Sequence, residues 1–214
     1  MMNTIRSSHG QDIMDLNPLN VKSRAIIKKL QKAIKAGESS LTHTQKIIII
    51  HHTDLIKPIP RAEITKHVEF IQTLIPTTMA AGSYRRGEAQ SSDIDVVVRE
   101  PIADVVKKLK NANYIKDTFT QGNKKFSGVV KLPGHSTHRH IDIVFTTPRS
   151  YPFAMLYFTG SKRFNIIMRL KAKKKGLKLN EYGLFNGLVQ TGNIATERDI
   201  FKVLDIPYVK PQDR

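Results

Sequence analysis

The sequence has no cysteine. That excludes disulfides and thiolate metal sites, fits a reducing compartment, and leaves oxygen and histidine as ligands for any metal. Acidic residues are few: 18 Asp and Glu stand against 35 Lys and Arg, for a net charge of +17. No apolar run approaches the twenty or so residues needed to cross a bilayer. The N-terminus, MMNTIRSSHGQD, lacks the apolar stretch of a secretory signal, so neither secretion nor membrane insertion is expected. What remains is 214 residues with an ordinary 40% hydrophobic content, enough for one or two domains with a real core. The positive excess favours a polyanionic partner, because clustered Lys and Arg gain affinity by releasing counterions from phosphates. Nucleic acid is the first candidate on charge alone, and a membrane surface the second.

Periodicity divides the chain into three segments. Val21, Ala25, Ile26, Leu30, Ala33 and Ile34 recur at helical spacing between a possible cap at Asn20 and a stop at Gly37, with Lys22, Lys28, Lys29, Lys32 and Lys35 on the other face. That face is either solvated or turned to nucleic acid. A second helix is predicted from Ser40 to about Leu55, ended by the turn of Pro58 to Pro60. The middle opens with a helix from Arg61 to Ile75, then turns to strands in TTMAAG, DIDVVV, YIKDTFTQ, KKFSGVVKL and RHIDIVFTT. One helical stretch, Ile102 to Leu109, interrupts them. Helices followed by clustered strands indicate an α+β fold with a mixed or antiparallel sheet. From Pro148 the chain reads as helical again, including Ser161 to Lys175, a hairpin around LKLNEYGLF, and a helix from Thr196 to about Leu204 whose Thr196 and Asp199 suit a capping box.

The stretch that carries chemistry is GSYRRGEAQSSDIDVVV, Gly82 to Val98. On a strand, Asp93 and Asp95 at i and i+2 project from one face. Two neighbouring carboxylates repel unless a cation lies between them, and a hard divalent ion such as Mg²⁺ suits oxygen ligands. By itself D-x-D is equally met by two solvent-facing acids. Two further features favour chemistry. Gly82 and Ser83 open a short turn or helix whose backbone N–H groups can approach a phosphate, with Arg85 and Arg86 beside them. Downstream, Asp142 in RHIDIVF is a third acid on an alternating strand able to pair beside the first. Three carboxylates facing a phosphate cradle are what two-metal phosphoryl transfer requires.

GSYRRGEAQSSDIDV, followed by HRHIDIVF, YFTGSKRFN and NEYGLF, resembles the family X DNA polymerases, and the likeness runs from about Leu41 to the C-terminus. It implies an α+β nucleotidyltransferase palm over residues 57–147. An N-terminal helical segment (1–56) and a C-terminal helical and hairpin nucleotide-selection subdomain (148–214) would flank it. Carried over residue by residue, the likeness implies that Asp93 and Asp95 bind two Mg²⁺ ions, with Mn²⁺ as a substitute. Asp142 would complete the catalytic-metal site and could accept the proton of the primer 3′-hydroxyl. Gly82, Ser83, Arg86 and the backbone at Ser92 would hold the triphosphate of a dNTP. Tyr157 and Phe158, with the Gly160–Ser161 turn, would form the floor under the sugar, Asn165 would reach the base, and Arg169 the template. Gly87 and Glu181 match with structural roles. The implied partners are gapped or primer-template DNA, and the implied state is an intracellular monomer, in a nucleus or a viral replication site, filling short repair gaps.

The departures also matter. Only about forty residues precede the match, with no Gly-x-Gly turn among them, so a reduced member similar in plan to small viral ones is expected. Ser92 stands where the family usually has Gly, and His140 where it has Arg, which predicts a less firmly held Asp142. His135, His138 and His140 form H-x₂-H-x-H, for which a polar hairpin loop is a better account than zinc, no fourth ligand being apparent. His51 and His52 are assigned no role. Arg169, Lys171, Lys173, Lys174 and Lys175 crowd one helix end. They suit the helix dipole, but their density beside a template site favours DNA phosphates. Two other readings stay open: a nucleotidyltransferase acting on RNA ends or without a template, and a catalytically inactive basic DNA-binding module.

Overall fold

A computed structural model describes residues 24–37, 40–190 and 192–214. The first helix, α1 (Arg24–Lys35), packs on α2 (His43–Leu55) through Ile27, Leu30, Leu41 and Ile49, leaving Arg24 and all its lysines exposed. The expected cap at Asn20 and the residues Val21 and Lys22 lie outside the described residues. Helix α2 starts later than its apolar pattern suggests, because Thr42 caps it. Gln45 N donates to Thr42 Oγ1 (3.3 Å) and Thr42 N to Gln45 Oε1 (2.9 Å), a reciprocal box that satisfies two end donors.

After α2 the chain runs through β1 (Ile59–Pro60), α3 (Arg61–Leu74), β2 (Met79–Ala80), α4 (Gly82–Arg85), β3 (Gln90–Ser91), β4 (Ile94–Val98), α5 (Ile102–Asn111), β5 (Ile115–Gln121), β6 (Lys125–Val130) and β7 (Arg139–Phe145). Five strands form one sheet in the order β2-β4-β7-β6-β5, in which β4 and β7 run parallel and the other neighbours antiparallel. This is the mixed sheet of an α+β fold. The two-residue strands β1 and β3 pair separately, a bridge too short to leave a periodic signal.

Strand alternation decides what faces the site. Ile94, Val96 and Val98 of β4, with Ile141 and Ile143 of β7, point into a core closed by Ile64, Val68 and Ile71 of α3 and Val105, Val106 and Leu109 of α5. With that face committed to apolar packing, Asp95 and Asp142 are turned to the opposite one. There Val97 packs against Ala154 and Met155 of α6 (Tyr151–Thr159), which begins the C-terminal part of the chain.

That part continues with α7 (Lys162–Lys174), β8 (Lys178–Asn180), β9 (Gly183–Asn186), β10 (Val189–Gln190), α8 (Glu197–Val203) and a 3-10 turn at Pro211–Asp213. The predicted hairpin is β8–β9, and β10 adds a third strand to it. Phe153, Leu156, Phe164, Met168, Leu184 and Phe201 form its core. Helix α6 is buried nearly all round, so its sequence shows no amphipathic period. Glu197 joins this part to the preceding one: Arg85 Nη2 reaches its Oε2 at 2.6 Å, and Arg214, whose side chain is fully buried, reaches its Oε1 at 2.7 Å. Among the described residues no helix is long and apolar enough to cross a membrane.

Candidate active site

Helix α4 and the two acidic strands meet at one point. Gly82 has φ of +55°, and a β-carbon on it would lie 2.0 Å from Asp95 Oδ2. Only glycine combines that backbone with that approach. The parallel pairing sets Asp95 directly opposite Asp142, so two carboxylates distant in sequence lie side by side. Asp93 precedes β4 rather than lying on it, so its side chain is aimed by a bend and not by the expected strand alternation. Ser92 Oγ donates to Asp93 Oδ1 at 3.1 Å.

The electrostatics of the two strand carboxylates differ. Burial, then the charges of Asp93 and Asp142, push Asp95 up to about 7. Burial opposes ionisation of Asp142 as well, but the neighbouring polar groups of His140, Lys125 and Ser127 outweigh it and hold this carboxyl well below the usual range. Lys125 Nζ donates to Asp142 Oδ2 at 2.6 Å, and His140 Nε2 stands 3.5 Å from Oδ1. Asp142 is therefore gripped from β6, contrary to the weak support expected from His140 in place of arginine. Sequence reading missed Lys125 and Ser127, because no local pattern ties either to residue 142.

An open cleft of about 710 Å³ runs from this point toward α6 and α7. Gly82, Ser83, Arg86, Ser92, Asp93 and Asp95 line its palm side, and Tyr157, Phe158, Gly160, Ser161, Asn165 and Arg169 the other. Glu88, Gln90, Lys162 and Ile166 line it too and were not anticipated. Asp142 is not among the lining residues.

Several walls are tied together. Arg86 Nη1 donates to Thr159 O at 2.7 Å, and Ser83 Oγ to Ser91 Oγ at 2.5 Å. The Gly160–Ser161 peptide is cis, and Ser161 Oγ caps α7 by accepting from Phe164 N at 3.3 Å. Asn165 Nδ2 donates to Tyr157 O at 2.7 Å, while the Arg169 guanidinium lies 5.0 Å from the Tyr157 ring centre. Lys171, Lys173, Lys174 and Lys175 are exposed near the C-terminal end of α7, and Lys175 also donates to Val203 O at 3.2 Å, bracing α8.

The donor set fits a divalent cation. Asp142 Oδ1 is buried with no hydrogen-bond partner, His140 Nε2 standing 3.5 Å away, which leaves a hard oxygen unsatisfied on a strand paired with that of Asp95. Among the described residues, however, no three His, Asp or Glu side chains stand as a closed ligand cluster. Lys125 already engages the third carboxylate, Asp142.

The histidine run does not converge. His138 pairs with Asp54 (Nδ1 to Oδ2, 3.2 Å) and His140 with Ser127 (Nε2 to Oγ, 3.0 Å). His51 is not idle: its Nε2 lies 2.7 Å from Asp117 Oδ2 and its ring 4.4 Å from that of His138, which fastens α2 to the sheet.

Residues 58–148 match the DNA polymerase beta palm and residues 154–214 the DNA polymerase beta thumb. DNA polymerase lambda of Rattus norvegicus is 31% identical over 209 residues, which take in 83% of this chain and 36% of that protein. The chain thus spans little more than a third of that relative's length. Two crystal structures of Leishmania infantum polymerase beta, a ternary P/T complex and a ternary gap complex, resemble it with a TM-score of 0.79. Their identities are 30% and 28%, over 88% of this chain and 87% and 80% of theirs. A shared fold along nearly the whole length of a solved relative, at that level of identity, makes this chain a member of the family X DNA polymerases.

Proposed function

We propose that the protein is a template-directed DNA polymerase that joins a nucleotide from a dNTP to a primer 3′-hydroxyl and fills short gaps during DNA repair. The observation that carries this reading is the register of Asp95 against Asp142 beside the Gly82–Ser83 turn, which sets paired carboxylates at one end of a cleft large enough for a nucleotide. The ternary complexes formed by the Leishmania infantum enzymes, with P/T and with a gap, support DNA and nucleotide as the partners.

Asp93, Asp95 and Asp142 would hold two divalent ions, Mg²⁺ or Mn²⁺. Such ions activate the attacking oxygen and offset charge on the departing pyrophosphate. The chain's own groups do the rest. Ser83, Arg86 and the backbone around Gly82 and Ser92 bind the triphosphate, the Arg86 guanidinium offsetting charge on the leaving group. Asp142 would receive the proton of the primer hydroxyl. Tyr157 and Phe158 support the sugar beside Gly160 and Ser161, Asn165 faces the base, and Arg169, steadied by Tyr157, faces the template. Lys171, Lys173 and Lys174 contact DNA phosphates. The enzyme works inside the cell as a monomer.

The test is extension of a one-nucleotide-gapped DNA with Mg²⁺, comparing four dNTPs with four NTPs. Addition of the dNTP complementary to the gap is expected, and it should vanish in Asp93→Ala, Asp95→Ala and Asp142→Ala while DNA binding persists, since the lost charges are negative. Addition that ignores the template, or that survives in Asp142→Ala, would overturn the reading.

A further inference from the structure

Strand β6 bears on the third carboxylate through two side chains that no local sequence signal connects to it. Ser127 lies directly opposite Asp142 in the β6–β7 register, and its Oγ is 3.0 Å from His140 Nε2. With Phe119 edge-on to the His140 ring at 5.4 Å, this holds the imidazole against Asp142. Lys125, two residues earlier on the same face of β6, reaches Asp142 Oδ2 with its ammonium. The two carboxylate oxygens are therefore unlike: Oδ1 is buried without a hydrogen-bond partner, and Oδ2 is covered by a cation.

We propose that Lys125 is the resident counter-ion of Asp142, and that a divalent cation entering the site displaces it. The inference rests on the reading of Asp142 as a metal ligand. Three carboxylates at one site repel, and one ammonium removes part of that repulsion while the site holds no other cation. Lys125 suits a temporary post. Its side chain is 50% exposed against 19% for Asp142, so it reaches the carboxylate from the solvent side on a flexible four-carbon stem. It also offers a single compact charge, not the two-pronged grip of a guanidinium. A divalent ion carries twice the charge and takes several oxygens at once, so it can outcompete the ammonium. Oδ1, which makes no hydrogen bond, is left as a second oxygen for that ion once Oδ2 is released. The released amine is then free for a phosphate. Lys125 is thus a positioning residue that keeps Asp142 aimed while setting a threshold for metal entry.

The experiment uses the full chain and Mn²⁺ alone, with free Mn²⁺ counted by electron paramagnetic resonance. Lys125→Gln should bind Mn²⁺ roughly two- to fivefold more tightly than the parent, the range expected for losing a half-exposed ion pair. Lys125→Arg should bind it more weakly. In the parent protein, reductive methylation of the Lys125 amine, read by peptide mass spectrometry, should rise when Mn²⁺ is added. In Asp142→Ala it should already be high and should not respond. Unchanged or weaker Mn²⁺ binding by Lys125→Gln, or labelling that ignores Mn²⁺, overturns the exchange. If Asp142→Ala lowers Mn²⁺ affinity while the Lys125 measurements stay flat, only the exchange fails. If Asp142→Ala binds Mn²⁺ as the parent does, the metal reading fails and takes the exchange with it.

Discussion

Gly82 and Asp95 approach so closely that the glycine's missing side chain is part of the site: a β-carbon at residue 82 would sit 2.0 Å from Asp95 Oδ2. Alanine there would also meet a backbone φ of +55°, a region costing an L-residue about 1 kcal/mol or more. Gly82→Ala should leave the circular dichroism spectrum near native but cut single-turnover nucleotide addition by about a hundredfold or more. A displacement of that size at a reacting group has such an effect. Near-native turnover would mean that Asp95 can move without loss.

Four basic residues cluster at the end of α7 and beyond, and the structure separates one from the others. Lys171, Lys173, Lys174 and Lys175 are all exposed, but Lys175 also donates to Val203 O. Replacing the first three with Gln should lower the slope of log affinity against log salt for gapped DNA by up to about three phosphate contacts. Lys175→Gln should leave the slope alone and lower the melting temperature slightly. Equal slopes in all variants would assign the cluster to solvent.

His67 predicts a pH dependence of stability. It is 1% exposed, its Nδ1 lies 2.6 Å from the Tyr114 hydroxyl, and burial lowers its pKa to about 4, with Glu63 opposing. The folded pKa lies below the unfolded value of about 6.5, so between these limits the unfolded chain binds the extra proton. The contribution is complete above about pH 6.5 and is lost as pH falls toward 4, amounting to roughly 3 kcal/mol in full. Replacing both partners, as His67→Leu with Tyr114→Phe, should shrink the difference between urea unfolding free energies at pH 7.5 and pH 5. An unaltered difference would place the titration elsewhere.

Arg139 ties the strand of Asp142 to the helices behind it. Its Nε and Nη2 lie 2.7 and 2.8 Å from the two Glu63 oxygens, and its Nη1 also reaches Asp54 O and Lys57 O. With Arg139 nearly buried, Arg139→Met should cost on the order of 3 kcal/mol, because Glu63 keeps a charge without its partner. Glu63→Gln/Arg139→Met should recover part of that loss in urea unfolding. A single variant as stable as the parent would show that packing carries this junction.

What could be read from the residues alone was local. Thr196 and Asp199 mark the start of α8, the apolar rhythm of Ile64, Val68 and Ile71 marks α3, and D-x-D after Gly-Ser marks the candidate site. Capping, turn and period-dependent preferences act over a few residues, so they leave a pattern in the chain. Helix α6 escaped as a separate element because burial on all sides erases its period, and β1, β3 and β10 because two residues carry none. Tertiary structure alone decided that Asp142 stands opposite Asp95, that Lys125 covers one of its oxygens, and that Glu63 anchors Arg139. These pairings depend on strand order and register, which the whole core sets at once when it commits one face of β4 and β7 to apolar packing. No window of neighbouring residues contains that information.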